Sequence, residues 1–205
     1  MVTIFEHEQP RKQRKQNFER MNLPMSTWGA RLSRVDEETR VPIQRYLDRK
    51  TRMMTAGMGL KLVGPPGSGK TCLAAGVLKF LNAYGYSAYF TTAFALREGY
   101  KAKTQFTQDQ SLLSRCLSVD VLAIDNITID VAKDWMYGGA KVRQLIEMRR
   151  DRLQPTLVTT NVDLSAEVSK DLRNLIDIDN AFITIDVVGH YEDTSLEDEV
   201  LGEGL

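Results

Sequence analysis

The sequence predicts an α/β fold: a five-stranded parallel sheet between helices. Three observations carry this. Short apolar runs of strand length alternate with longer stretches of helical periodicity. Near-continuous apolar strands separated by helices belong to a parallel sheet covered on both faces. Between the first such strand and the helix after it stands Gly64-Pro65-Pro66-Gly67-Ser68-Gly69-Lys70-Thr71, which fits the phosphate-binding pattern G-x-x-x-x-G-K-[ST] at each fixed position.

Residues 1 to 22 are polar and basic, with Arg11, Lys12, Arg14 and Lys15 clustered, and read as a flexible arm that orders on a partner. From Asp36 to about Met54, Val41, Ile43, Tyr46, Leu47 and Met53 recur at helical spacing, with acids at the front and bases behind, as the helix dipole favours. Strands are expected at 59–63, 87–91, 120–125, 156–161 and 181–187. Helices are expected at 70–83, 93–103, 108–117, 134–153 and about 164–175, the fourth of them ended by Pro155. The core domain therefore spans 23–188, and 189–205 forms an acidic tail.

A chain of 205 residues suits one well-buried α/β core. Its 27 basic and 27 acidic residues cancel, so global charge points to neither nucleic acid nor membrane. Two cysteines, Cys72 and Cys116, supply neither a disulfide framework nor a zinc spacing. No stretch has membrane-spanning length and no signal-peptide apolar region opens the chain, so a cytoplasmic protein is expected.

The chemistry starts with the octet. Its glycines, Gly64, Gly67 and Gly69, let backbone N–H groups turn inward, and with Pro65, Pro66 and Ser68 they shape a cradle for ATP phosphates. Lys70 brings a point charge to the β/γ-phosphates, and the Thr71 hydroxyl can ligate Mg²⁺. Asp125 ends an apolar strand where a phosphate-loop fold places its second Mg²⁺ ligand; the other reading is a strand-end turn former. Asn126 is next in the chain. An amide can orient a water but cannot take its proton, so hydrolysis is expected to be weak, unless another carboxylate such as Asp130 substitutes. Asn161, after Thr159 and Thr160, suits either contact with the γ-phosphate or its water, or an Asx-turn.

Together these residues resemble the AAA+ helicase loaders of the DnaC type and the related IstB-type transposition ATPases. The likeness runs from about Met21 to Val187. It rests on Asn22-Leu23-Pro24-Met25-Ser26-Thr27-Trp28, the GPPGSGKT loop, Tyr89-Phe90-Thr91-Thr92 running into Ala95-Leu96-Arg97, the Asp125 strand, and Pro155 to Asn161. The resemblance implies an AAA+ domain with Asn161 as γ-phosphate sensor and Arg173 as an arginine finger toward a neighbouring subunit; a solvated helix residue is the other reading of Arg173. It places Arg149 and Arg150 at a subunit interface or DNA, against the plainer reading of a basic helix end.

This chain departs from the family in three respects: Asn126 stands where the pattern has Glu, Arg173 stands without a second arginine, and the stretch after Val187 is too short for a C-terminal lid. The function implied is that of a phage-type helicase loader, which uses ATP as an assembly switch, oligomerises, and places a hexameric replicative helicase on single-stranded DNA. A transposition helper and a nucleotide-dependent scaffold are the alternatives. A small-molecule kinase would need a basic lid and an acceptor pocket, and neither stands between the fourth and fifth strands.

Overall fold

The computed structural model describes residues 11–103, 110–134, 138–161, 170, 173, 176 and 181–188. Five strands, β1 (Gly59–Val63), β2 (Ala88–Thr92), β3 (Val121–Asp125), β4 (Thr156–Thr160) and β5 (Phe182–Asp186), form one sheet in the order β2-β3-β4-β1-β5. All four pairings are parallel. Each expected strand is present within a residue of its expected end. Alternate side chains supply opposite faces, as the two-residue period requires. Val121 and Ala123 of β3 join the same apolar cluster as Leu60, Leu62 and Leu157, while Leu122, Ile124 and Val158 join a second cluster on the other side.

The first cluster is covered by α4 (Lys70–Ala83) and α2 (Glu37–Asp48), and the second by α5 (Ala93–Lys103), α6 (Gln110–Ser118) and α8 (Ala140–Asp151). The helix expected from Asp36 to Met54 is two. Arg49 leaves helical geometry, and α3 (Lys50–Thr55) starts after it, so Tyr46 can donate its hydroxyl to Met58 O at 2.8 Å while Met54 also reaches the core. The helix expected at 134–153 begins later. A short α7 (Ile129–Lys133) precedes it, and Asp134 O accepts both Gly138 N–H and Gly139 N–H ahead of α8. The helix expected at about 164–175 lies almost wholly outside the described residues, as does the tail from 189.

Of the arm expected over residues 1–22, residues 11–22 are among those described. Residues Arg11–Arg20 form α1, the Phe18 and Trp28 rings lie 5.8 Å apart, and Met21 is buried. Met21 O accepts from Phe90 N–H at 2.8 Å, and Asn22 Nδ2 donates to Phe90 O at 2.9 Å, so this segment occupies the outer edge of β2 and shields an edge otherwise open to pairing. Phe18 and Met21 carry this segment onto the core, and Arg115 Nη2 donates to Arg20 O at 3.2 Å.

Arg149 is fully buried, which overturns its expected position at an interface or on DNA. Its Nε donates to Thr156 Oγ1 (3.1 Å), Nη1 to the carbonyls of Cys116 and Val119 (2.5 and 3.0 Å), and Nη2 to those of Asp120 and Pro155 (3.1 and 2.9 Å). Burial pushes the guanidinium down to about 10, with Cys116 and Asp120 acting in the opposite sense. A fork of five donors suits this loop-binding role, because one planar group reaches the acceptors of two chain segments at once. Arg150 and Arg152 are exposed. No helix among the described residues is long and apolar enough to cross a membrane.

Candidate nucleotide site

The end of β1, the start of α4, and the ends of β3 and β4 meet at one edge of the sheet, where the carboxyl ends of parallel strands leave a crevice for ligands. Gly64 to Gly69 link β1 to α4. Gly69 is the residue before the helix and has φ +85°, a left-handed conformation that glycine adopts without strain, and the turn brings the N-terminal end of α4 to the loop. Gly64 is fixed by close approach: a Cβ there would lie 2.4 Å from Val187 O, so the loop's first residue sits directly on the segment leaving β5. That segment is itself anchored, with Val187 N–H donating to Val63 O at 2.6 Å.

Lys70 opens α4 and is buried. Its ammonium donates to Pro65 O at 2.5 Å and to Ser68 Oγ at 3.2 Å, so Ser68 and Pro65 hold the cation inside the loop. Burial lowers the ammonium's pKa and the Asp125 charge raises it again. The Thr71 hydroxyl reaches both oxygens of Asp125 at 3.1 Å, across 54 residues of sequence. Asp125 is 7% exposed. Burial pushes its carboxyl pKa up, while hydrogen bonds from Thr159 and Thr71, the Lys70 charge and the Asn126 backbone N–H pull it down. A desolvated carboxylate beside a hydroxyl is a hard-oxygen pair suited to Mg²⁺, which takes one or two protein ligands and completes its shell from phosphates and water. Among the described residues no group of three or more His, Cys, Asp or Glu could hold a metal by itself.

Thr159 belongs to this site and was not legible as a site residue. Its hydroxyl donates to Asp125 Oδ1 at 2.6 Å and accepts from Asn126 N–H at 2.8 Å, and its carbonyl accepts from Ile127 N–H at 2.9 Å. The available signal was a polar residue near the end of an otherwise buried strand, two before Asn161. Asn126 is exposed with φ +58°, where asparagine is among the few non-glycine residues tolerated. Asn161 is exposed just past the end of β4. Asp130 is exposed in the first turn of α7. Arg173 is helical and half-buried, and its immediate neighbours lie outside the described residues.

Residues 21–170 match the family model described as IstB-like ATP binding protein. The chain belongs to that family. The IstB-like domain also shares its fold with solved structures. It is similar to the crystal structure of the DnaC helicase loader, with a TM-score of 0.67 and 24% identity over 80% of this chain and 100% of that one. Likeness to the crystal structure of DnaI gives 0.62 and 24%, over 82% and 96%. For domain III of the Thermotoga maritima replication initiation protein DnaA the values are 0.64 and 12%, over 82% and 69%. No curated protein matched the chain. The IstB-like chain is thus an ATP-binding protein with the α/β fold of AAA+ phosphate-loop NTPases.

Proposed function

We propose that this IstB-like protein is a helicase loader in which ATP·Mg²⁺ acts as an assembly switch. The observation that carries the reading is the Thr71–Asp125–Thr159 hydrogen-bond set beside a phosphate loop, in a fold similar to the whole of a solved helicase loader chain.

In this reading Gly64 to Thr71 cradle the phosphates, and Lys70 leaves Pro65 O and Ser68 Oγ to meet the γ-phosphate, exchanging neutral partners for a charged one. Thr71 and Asp125 would hold Mg²⁺, which when bound offsets phosphate charge. Asn161 senses the γ-phosphate from the end of β4. Arg173 reaches a neighbouring subunit's nucleotide, so ATP fixes subunit contacts and its loss loosens them. The assembly acts as one unit of 23–188, with the arm of residues 1–22 docking the hexameric helicase and exposed Arg150 and Arg152 meeting single-stranded DNA. Such a protein works in the cytoplasm, and Asn126 makes its hydrolysis slow. A transposition helper, the other activity that the sequence resemblance implies, is the second reading.

The test is co-purification of the replicative helicase encoded in the same genome, with and without ATP, and then helicase loading on single-stranded DNA. ATP-dependent capture and loading are expected. Capture of a transposase instead, with no helicase retained, contradicts the loader reading and supports the second.

A further inference from the structure

We infer that Thr159 is a positioning residue that fixes the Asp125 carboxylate for the metal and ties it to the strand end that carries Asn161. The inference deepens the ATP·Mg²⁺ reading above and rests on it.

The β3–β4 ladder has its last paired residues at Ile124 and Val158. Just beyond, β3 turns away through Asn126 at φ +58°, so Asp125 pairs with Thr92 of β2 on one side and has no ladder partner on the β4 side. Thr159 makes the connection on that side with three bonds: carbonyl to Ile127 N–H, hydroxyl oxygen to Asn126 N–H, and hydroxyl proton to Asp125 Oδ1. The direction is forced. A hydroxyl has one proton, and Asn126 N–H can only donate, so the proton goes to the carboxylate. At 2.6 Å this is a short, charge-assisted bond, made by a residue only 2% exposed.

The consequence is a division of labour between the two carboxylate oxygens. Oδ1 accepts from both Thr159 and Thr71, whereas Oδ2 accepts from Thr71 and lies outside the reach of the Thr159 bond, which leaves it the freer oxygen for a cation. With its own proton committed to Asp125, Thr71 likewise keeps its oxygen lone pairs for a cation. Thr159 is the last but one residue of β4 and Asn161 is the first residue after it, so the backbone that Thr159 ties to Asp125 is the same short stretch that carries Asn161.

The experiment compares Thr159→Val, which keeps the branched shape, with Thr159→Ser, which keeps the hydroxyl. A fluorescent ATP analogue is titrated against each full-length protein in excess Mg²⁺ and in EDTA. The ratio of the two affinities is the metal enhancement. We expect Thr159→Val to bind within about twofold of wild type in EDTA but to lose roughly tenfold of the enhancement, about 1.4 kcal/mol, and Thr159→Ser to retain it. A Val variant with the wild-type enhancement overturns the inference. So does equal weakening in both conditions, which is the signature of a merely structural role. If Thr159→Val does not fold, Thr159→Ala takes its place against the same criteria. Wild-type protein that binds the analogue in neither condition overturns the ATP reading itself, and the inference with it.

Discussion

The Thr71 hydroxyl lies 3.1 Å from each carboxylate oxygen of Asp125, so the first turn of α4 and the last residue of β3 form one preorganised oxygen pair. That arrangement has an electrostatic consequence. The site holds a negative charge partly stripped of water, which a cation relieves.

Replacing that charge should therefore stabilise the metal-free protein. Burial raises the Asp125 carboxyl, so the folded state holds its proton more tightly than the unfolded state. This contribution favours folding fully below the ordinary carboxylate pKa and is lost as pH rises through the raised folded value. At neutral pH the ionised group weighs against folding. Asp125→Asn should raise the metal-free Tm by about 2–4 °C, on the order of 1 kcal/mol for a chain of this size, and flatten the fall in Tm with pH. Magnesium ATP should then stabilise the variant less than it stabilises the wild type. Thermal melts across the acidic to neutral range measure both effects, and a lower Tm in the variant would sink the argument.

Arg149 makes the opposite case, a buried charge whose removal is destabilising. Arg149→Ala leaves the carbonyls of Cys116, Val119, Asp120 and Pro155 without the guanidinium, and opens a cavity as well. A loss of roughly 3–5 kcal/mol is expected, with a Tm lower by about 10 °C. Arg149→Lys should recover little, since an ammonium cannot span acceptors placed for a planar fork. Chemical denaturation of the three proteins checks this. A loss under about 1 kcal/mol for Ala would mean that the carbonyls find water instead.

Asn126 separates binding from turnover. General-base assistance is worth roughly 10²–10⁴ in rate, and an amide cannot supply it. The wild-type protein should bind ATP and hydrolyse it slowly. Asn126→Glu should raise single-turnover hydrolysis at least about tenfold, close to 1.4 kcal/mol in barrier, with saturating helicase and single-stranded DNA present. It should also lower stability by roughly 1 kcal/mol, because glutamate fits φ +58° less well than asparagine. Asn126→Gly is the control, accepting the backbone while keeping turnover slow. Brisk wild-type hydrolysis, with no gain in the Glu variant, would assign the water-positioning role to another carboxylate.

How much of the molecule the sequence revealed depends on how local each signal is. The strands were legible because burial on both faces leaves apolar runs such as Val121–Ile124, and the phosphate loop because its glycines and Lys70 are close together in the chain. Boundaries set by tertiary contacts were not. The break at Arg49 depends on Tyr46 reaching Met58 O, and the docking of α1 on Phe18 and Met21 meeting Trp28 and Phe90. Arg149 looked like a surface base at a helix end because most of its acceptors are backbone carbonyls from two other loops, which no side-chain pattern records. Thr159 was hidden for a related reason: its meaning comes from Asp125, 34 residues away and on the next strand.

The measurement that bears most directly on the account is the affinity of wild-type protein and Lys70→Ala for a fluorescent ATP analogue in magnesium, alongside the Tm of each without nucleotide. Lys70 is the loop's own cation, and its ammonium is already held inside the loop by Pro65 O and Ser68 Oγ. Its removal should weaken binding at least about tenfold, because a charge-assisted contact to phosphate is lost, and leave the metal-free Tm within a few degrees. Equal affinity in the two proteins, each folded, would contradict the assignment of Gly64 to Thr71 as the phosphate site.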